Sequence, residues 1–303
     1  MPDPTRQSVS ASQAPALLNQ SPYATRFMLY SHFKNPAAYP LETRPDKRMA
    51  WGNRMQAAIL AATAELYRLD VVENVEQHYV RRGRLGCTRD GLMNDPATGR
   101  VIVEAKSVDR DIWRRDWTET TAPPHIEIQV QCEMYAEEAD RAVIAVLVGG
   151  NDLRCIERRA DPALQAALVD AAERFFQALD ANEPPDPLGL PMELPALTAL
   201  CPVRAPEKRF VGDGAMGERL KLLHWAQDQR RFADNLAKQE SAKIIAEIAD
   251  AVWIEAPGAR AKIARIKVEE KRCQCGALLG KAHAYDRIFV HVDQHEGEDD
   301  DAV

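Results

Sequence analysis

The spacing of apolar residues alternates between helical and strand periods along the first 182 positions of the chain. Apolar stripes at helical spacing, with capping residues before them, predict helices over 12–19, 24–33, 45–69, 125–138 and 162–182. Apolar runs bounded by turn residues predict strands over 71–80, 85–93, 100–106, 141–148 and 153–158. The polar stretch 107–124 is predicted to be a loop. This mixture of helices and strands indicates an α/β (α+β) fold.

The pattern changes after residue 183. Seven prolines between Pro184 and Pro206 predict a linker over 184–206. The region 207–292 is predicted to be a helical hairpin with a small β element. Its helical part covers 217–254, interrupted or bent near 238–241, and two short strands follow at 261–268 and 287–292. The acidic end, 293–303, is predicted to be disordered. We therefore expect a first domain over 1–183, a linker, a helical extension and a tail.

Composition excludes several classes of protein. The chain is 46% apolar and 28% charged, which is ordinary for a soluble globular protein. No apolar run approaches the roughly 18 residues of a membrane span. The N-terminal sequence lacks the basic and apolar regions of a secretory signal, so we expect a cytoplasmic location. Six scattered cysteines argue against a disulfide framework, and the close pair Cys273 and Cys275 is weak evidence for a metal.

Charge is distributed unevenly. The formal net charge is −7, but six acidic residues lie in the tail between Asp293 and Asp301. Arginines instead flank one segment, at Arg81, Arg82, Arg84, Arg89, Arg110, Arg114 and Arg115. Clustered positive charge around an acidic centre fits a polyanionic substrate. The alternative is that these are solvated arginines at strand ends and in loops.

That segment carries the candidate chemistry. Asp90 precedes an apolar strand that ends in Glu104-Ala105-Lys106. Side chains at positions i and i+2 of a strand share a face, so Glu104 and Lys106 project together while Asp90 arrives from the neighbouring strand. Two carboxylates and an ammonium group at one point suit a divalent cation, a water and a phosphate, as phosphodiester-cutting nucleases require. A salt-bridged pair on an exposed strand is the alternative.

The residue types also suggest individual roles. The carboxylates of Asp90 and Glu104 and the backbone carbonyl of Ala105 are predicted to hold Mg²⁺ or Mn²⁺, as one or two ions. Lys106 is predicted to orient or deprotonate the attacking water and to offset charge in the transition state. Gln129, in the predicted helix 125–138, is predicted to hydrogen-bond a phosphate or the nucleophilic water.

Five sequence blocks occur in a recognisable order: RQSVSAS at 6–12, MAWG at 49–52, CTRDGL at 87–92, VEAK at 103–106 and QVQ at 129–131. In this order they resemble the phage-recombinase (YqaJ-like) exonuclease family, which is lambda-exonuclease-like and belongs to the PD-(D/E)xK nuclease superfamily. The resemblance covers about residues 5–180. It implies a restriction-endonuclease-like core with a central mixed β-sheet flanked by helices.

The resemblance also implies roles for single residues. Asp90 and Glu104 match the family's metal-binding acids, and Lys106 matches its catalytic lysine. Contacts to the DNA 5′-phosphate are implied for Ser12, Thr88, Gln129 and Arg6, and contacts to the DNA backbone are expected for Arg89, Arg110 and Arg114. One position departs from the family, because Gln56 stands where a glutamate is usual. A neutral amide there would weaken the binding of a second metal ion.

The implied activity is that of a Mg²⁺- or Mn²⁺-dependent 5′→3′ exonuclease on double-stranded DNA ends, in a bacterial or phage-infected cytoplasm. Its products would pass to a single-strand annealing protein in phage-type recombination, and the family implies a homotrimeric ring. An endonuclease is one alternative. A DNA-end-binding protein without catalysis is another, because of Gln56. A CRISPR-adaptation-like nuclease would need four cysteines around an iron–sulfur cluster, which this spacing does not offer.

Overall fold

The computed structural model describes residues 7–41, 47–73, 77–97, 99–200, 209–248, 252–257, 259–268, 271–272, 278–280 and 283–292. The chain divides into two compact units, Met1–Ala205 and Pro206–Val303. The helices are α1 (Ala14–Leu17), α2 (Arg26–Lys34), α3 (Lys47–Tyr67), α4 (Arg110–Asp116), α5 (Pro124–Glu137), α6 (Pro162–Ala181), α7 (Leu194–Leu200) and α8 (Gly214–Ile248). The strands of the first unit are β1 (Val9–Ser10), β2 (Val71–Glu73), β3 (Val80–Arg82), β4 (Leu85–Cys87), β5 (Gly91–Asp95), β6 (Gly99–Val108), β7 (Arg141–Val148) and β8 (Asp152–Arg159).

A five-stranded sheet in the order β2-β5-β6-β7-β8 forms the centre of the first unit. The β6–β7 pair is parallel, with Glu104 opposite Ile144, and the other pairs are antiparallel. The parallel pair needs a crossover connection, which α4 and α5 supply. Helices cover both faces of this sheet, so the predicted central mixed sheet flanked by helices is confirmed.

Strand alternation decides which helix each β6 side chain meets. Val101 and Val103 pack with Ile59 and Leu60 of α3 on one face. Ile102 packs on the other face, with α5 residues such as Val130. Because side chains two positions apart share a face, Glu104 and Lys106 lie on the α5 side with Ile102.

A smaller sheet, in the order β1-β4-β3, packs with α1, α5 and α6 around a separate apolar cluster. Glycine is needed at Gly86, in the middle strand, because a Cβ there would lie 2.7 Å from the backbone carbonyl oxygen of Val80. Strand β1 runs parallel to β4, with Ser10 opposite Gly86. The sequence did not predict β1, since two residues carry no readable period.

The predicted strand 85–93 is in fact two strands in different sheets. β4 ends at Cys87 in the small sheet, and β5 begins at Gly91 in the central sheet. Residues 88–90 cross between the two sheets. Apolar residues on both sides of this crossing made it look like one continuous strand. The predicted strand 71–80 is likewise described only as β2 and β3.

Two stretches expected to be irregular contain regular structure. The predicted loop 107–124 contains α4, directly after β6. Within the predicted linker, a single-turn 3₁₀ helix, Pro191–Glu193, leads into α7. The Thr25 hydroxyl donates a hydrogen bond of 2.6 Å to the buried carboxylate of Glu193, and Ala196 is fully buried. This part of the linker therefore packs against α2.

The second unit contains α8 and the strands β9 (Trp253–Ala256), β10 (Ala259–Val268), β11 (Lys271–Arg272), β12 (Leu278–Gly280) and β13 (His283–Val292). The predicted helical hairpin is wrong, because α8 is one helix of 35 residues without an interruption at 238–241, and the predicted helical end at 253–254 belongs to β9. The predicted strands at 261–268 and 287–292 are confirmed as the paired β10 and β13.

Cys273, Cys275 and the tail 293–303 lie outside the described residues. No helix in the described ranges is long and apolar enough to cross a membrane.

Candidate active site

Asp90 lies at the point where the β5–β6 ladder ends. The last backbone pair is Gly91 with Val103. Beyond it, the Asp90 side chain takes the place of a strand partner, because Ala105 N donates a hydrogen bond of 2.9 Å to Asp90 Oδ2. The N–H and C=O of one strand residue point to the same side, so the Ala105 carbonyl also faces the edge that Asp90 occupies. Asp90 and this carbonyl therefore lie at the same edge of β6, while the predicted role of the carbonyl as a metal ligand stays a prediction.

Glu104 is a charged residue in the interior, with only 2% of its surface exposed. Its Oε1 accepts hydrogen bonds from Lys106 Nζ and from Gln129 Nε2, the latter at 2.6 Å. The sequence predicted that Glu104 and Lys106 share a face, and the structure joins them directly. The pair lies under α5 rather than on an exposed strand, which argues against the simple surface salt bridge.

The sequence analysis missed Glu133. This residue of α5 is 1% exposed, and its Oε1 accepts a hydrogen bond of 2.9 Å from Gln129 Nε2. Its Oε2 is buried and accepts no hydrogen bond from any residue in the described ranges. Glu133 lies four positions after Gln129, and residues at this spacing are neighbours on a helix surface. That spacing was the signal by which it could have been found.

Burial, followed by repulsion between carboxylates, governs the electrostatics of this centre. Burial, together with the charge of Glu104, raises the pKa of Asp90 from 3.8 to about 7. Burial and the same neighbour raise the pKa of Glu133 well above its usual range. Burial would lower the pKa of Lys106, but Glu104 outweighs it and raises that pKa, so Lys106 is a cation. The site thus holds one ammonium group against three carboxyl groups.

The donor set fits a hard divalent cation in its chemistry. Carboxylate and carbonyl oxygens are the ligands that Mg²⁺ and Mn²⁺ prefer. The repulsion among Asp90, Glu104 and Glu133, and the buried Glu133 oxygen without a donor, are features that a cation would relieve. Among the described side chains, no three His, Cys, Asp or Glu groups are already arranged as a metal site. Glu104 Oε1 is instead held by Lys106 and Gln129.

The raised pKa of Asp90 predicts an unusual dependence of stability on pH in metal-free protein. Between about pH 4 and pH 7 the folded state binds more protons at Asp90 than the unfolded state does, so this group makes folding less favourable as pH rises. Asp90→Asn lacks this effect. Urea unfolding with EDTA at pH 5 and pH 8 should show the variant gaining stability relative to wild type. A difference that does not change with pH would contradict the assignment.

The residues predicted at the 5′-phosphate are only partly brought together. Ser10 pairs with Gly86 on parallel strands, so Ser12 and Thr88 each follow by two residues at the same end of the small sheet. Ser12 is exposed and exchanges a hydrogen bond of 3.2 Å with Ser10. Both N–H groups of the Gln129 amide have carboxylate partners, Glu104 and Glu133. Arg6 lies outside the described residues.

The three predicted backbone-binding arginines have different surroundings. Arg89 is only 17% exposed in its side chain and forms an ion pair with the buried Glu137. Arg110 begins the exposed helix α4 and donates to Asn151 Oδ1 at 3.2 Å. Arg114 is 76% exposed, 3.8 Å from Asp111. Arg110 and Arg114 are thus accessible to a polyanion, while Arg89 anchors the segment that carries Asp90.

Gln56 lies on α3, which covers the face of the sheet opposite to Glu104 and Lys106. It stands one turn before Leu60, whose side chain lies against Gly91. No hydrogen bond within the described part of the chain joins Gln56 to Asp90 or Glu104. Its predicted part in metal binding stays a prediction.

A comparison with known protein families matches the part of the chain that contains this site. Residues 5–140, which include Asp90, Glu104, Lys106, Gln129 and Glu133, match the family described as the YqaJ-like viral recombinase domain. Residues 5–140 of the chain are similar to this domain. The resemblance inferred from the sequence blocks is thereby confirmed, and the acidic centre lies within the matched residues.

Structural comparison finds two structures of LHK-Exo, an alkaline exonuclease from Laribacter hongkongensis, one of them in complex with dAMP. They are 18% and 17% identical to this chain, with TM-scores of 0.48 and 0.47. The alignments cover 59% and 58% of this chain and 91% and 90% of theirs. No curated protein sequence matches the chain.

Proposed function

We propose that this chain is a divalent-metal-dependent deoxyribonuclease that acts as a 5′→3′ exonuclease on double-stranded DNA ends. The observation that carries the proposal is the convergence of Asp90, Glu104 and Lys106 inside a YqaJ-like recombinase domain. Carboxylates held together against their repulsion, beside a lysine cation, are what hydrolysis of a phosphodiester requires. The single strands produced would serve recombination.

Each residue of the centre has a task in this proposal. Asp90, Glu104 and the Ala105 carbonyl would hold Mg²⁺ or Mn²⁺, which when bound supplies Lewis acidity and an activated water. Lys106, kept protonated by Glu104, is suited to stabilising negative charge on the phosphate rather than to acting as a base. Gln129 fixes the Glu104 carboxylate through its amide nitrogen.

The surroundings of the centre support a nucleic-acid substrate. α4 begins four residues after Lys106 and carries the exposed residues Arg110, Arg114 and Arg115. Trp113 and Trp117 of the same segment stack with their ring centroids 5.8 Å apart. Arginines contact phosphates, and their contribution to binding falls as salt concentration rises. We propose that α4 carries the DNA backbone past the acidic centre.

Two further proposals follow from the family resemblance alone. The enzyme would assemble as a homotrimer and deliver its single strands to an annealing protein. Gel filtration with light scattering tests the first proposal, and a pull-down with a candidate annealing protein tests the second.

One assay tests the proposed activity. The protein is incubated with linear duplex DNA labelled at the 5′ end, linear duplex labelled at the 3′ end, and closed circular DNA, each with Mg²⁺ or EDTA. We expect Mg²⁺-dependent release of the 5′ label as mononucleotides, with the circle untouched. Cutting of the circle would replace the proposal with an endonuclease, and early release of the 3′ label would reverse the polarity. Metal-independent binding of ends without cutting would indicate a binding protein.

A further inference from the structure

The third carboxylate, Glu133, is tied to the predicted metal-binding acids by a single amide group. Gln129 Nε2 donates to Glu104 Oε1 at 2.6 Å and to Glu133 Oε1 at 2.9 Å. Both acceptor oxygens are therefore within 3 Å of one nitrogen atom. Glu104 comes from β6 and Glu133 from α5, so this bridge crosses the interface between sheet and helix.

The other oxygen of Glu133 has no donor. Oε2 is buried, on a residue 1% exposed, and no described group donates a hydrogen bond to it. A buried carboxylate oxygen without a donor costs about 1–3 kcal/mol or more, and such groups in native proteins call for an explanation. Contact with solvent does not explain the unpaired oxygen here, because Oε2 is buried. A bound cation would explain it, because the cation would be the partner of this oxygen.

Glu133 is a better candidate for contact with a cation than the other polar side chains near the sheet, because of its location. α5 covers the sheet face on which Glu104 and Lys106 lie, whereas Gln56 is neutral and belongs to α3 on the other face. The remaining α5 carboxylate near the helix start, Glu127, is paired with Arg158 at 2.5 Å. Glu137, one turn beyond Glu133, is occupied by Arg89 and Arg100. Of these three acids, Glu133 alone has a buried carboxylate oxygen without a hydrogen-bond donor, and its other oxygen shares the Gln129 amide with Glu104.

We propose that Glu133 supplies a third carboxylate ligand to the divalent cation held by Asp90 and Glu104. This assignment rests on the proposed metal-dependent function. Gln129 is then a positioning residue that sets the separation of Glu104 and Glu133, rather than a group that contacts DNA.

Metal binding in the absence of DNA tests the assignment directly. Mn²⁺ affinity is measured by isothermal titration calorimetry for the full chain, for Glu133→Gln and for Glu127→Gln. The last is a matched control, because it neutralises an acid of the same helix that faces Arg158. Affinity depends on the number of charged ligands, so Glu133→Gln should weaken Mn²⁺ binding roughly tenfold or more. Glu127→Gln should bind Mn²⁺ as wild type does.

The rise in unfolding temperature on adding Mn²⁺ gives a second measurement, and it should be smaller for Glu133→Gln than for wild type. If Glu133→Gln does not fold, Glu133→Asp replaces it; a shortened carboxylate should also weaken binding. Equal Mn²⁺ affinity in wild type and the Glu133 variant would overturn the ligand assignment while leaving the nuclease proposal standing. A wild-type protein that binds no Mn²⁺ and cleaves no DNA would overturn both.

Discussion

Glu104→Gln is expected to reduce the rate of DNA cleavage roughly a thousandfold, which corresponds to about 4 kcal/mol of activation free energy. The substitution preserves the shape of the side chain and an oxygen that can accept from Lys106. It removes the negative charge that would hold a cation and that keeps Lys106 protonated. The loss should appear in the rate at saturating DNA, measured with 5′-labelled linear duplex and Mg²⁺.

The control for this prediction is Glu157→Gln. Glu157 belongs to the same sheet, on β8, but its side chain is 52% exposed and pairs with Arg141. Its substitution should leave cleavage unchanged. Circular dichroism and thermal unfolding establish whether each variant folds. Near-wild-type cleavage by a folded Glu104→Gln protein would exclude Glu104 from the active site.

The second large effect is expected on stability, at Glu137. Its side chain is 3% exposed and accepts from Arg89 Nη1 at Oε1 and from Arg100 Nη2 at Oε2, the latter at 2.6 Å. Glu137→Ala leaves Arg89 as a largely buried cation without this partner. Breaking a buried ion pair in this way costs about 3–5 kcal/mol, and because Arg100 is half-exposed we expect a loss of about 3 kcal/mol. Urea unfolding monitored by tryptophan fluorescence measures it.

The next residue provides a matched control. Glu138 pairs with Arg82 at 3.4 Å, with 71% and 46% of the two side chains exposed. An exposed pair of this kind contributes about 0–1 kcal/mol, so Glu138→Ala should change the free energy of unfolding by no more than that. Equal losses in the two variants would show that burial of Glu137 does not govern its contribution.

The proximity of Glu104, Lys106 and Asp90 could be predicted from sequence because it depends on local geometry. Glu104 and Lys106 share a face through the period of a strand, and that period does not depend on the rest of the fold. Asp90 required one further inference, the pairing of two neighbouring strands. The bounds of α5 were also predicted to within one residue, from an apolar stripe on a long helix.

The elements that were not predicted depend on contacts distant in sequence. Glu133 has the appearance of an ordinary helical glutamate until α5 is placed on the sheet beside Glu104. Arg89 was expected to face DNA, and only the approach of Glu137, 48 residues later, turns it inward. The crossing of residues 88–90 between two sheets cannot be read from alternation, because apolar residues continue on both sides.

The hydrogen bond from Ala105 N to Asp90 Oδ2 also limits which insertions and deletions the chain tolerates near Asp90. Asp90 reaches the α5 face only because Gly91 pairs with Val103. A slip of one residue between β5 and β6 would send every side chain of β5 to the opposite face. A one-residue insertion between Asp90 and Gly91 would keep the packed register of β5 but turn Asp90 away from the α5 face, so it should inactivate the protein as completely as loss of the acid itself. Cleavage of 5′-labelled linear duplex by the folded variant measures this, and the position of Asp90 along the chain is therefore as constrained as its charge.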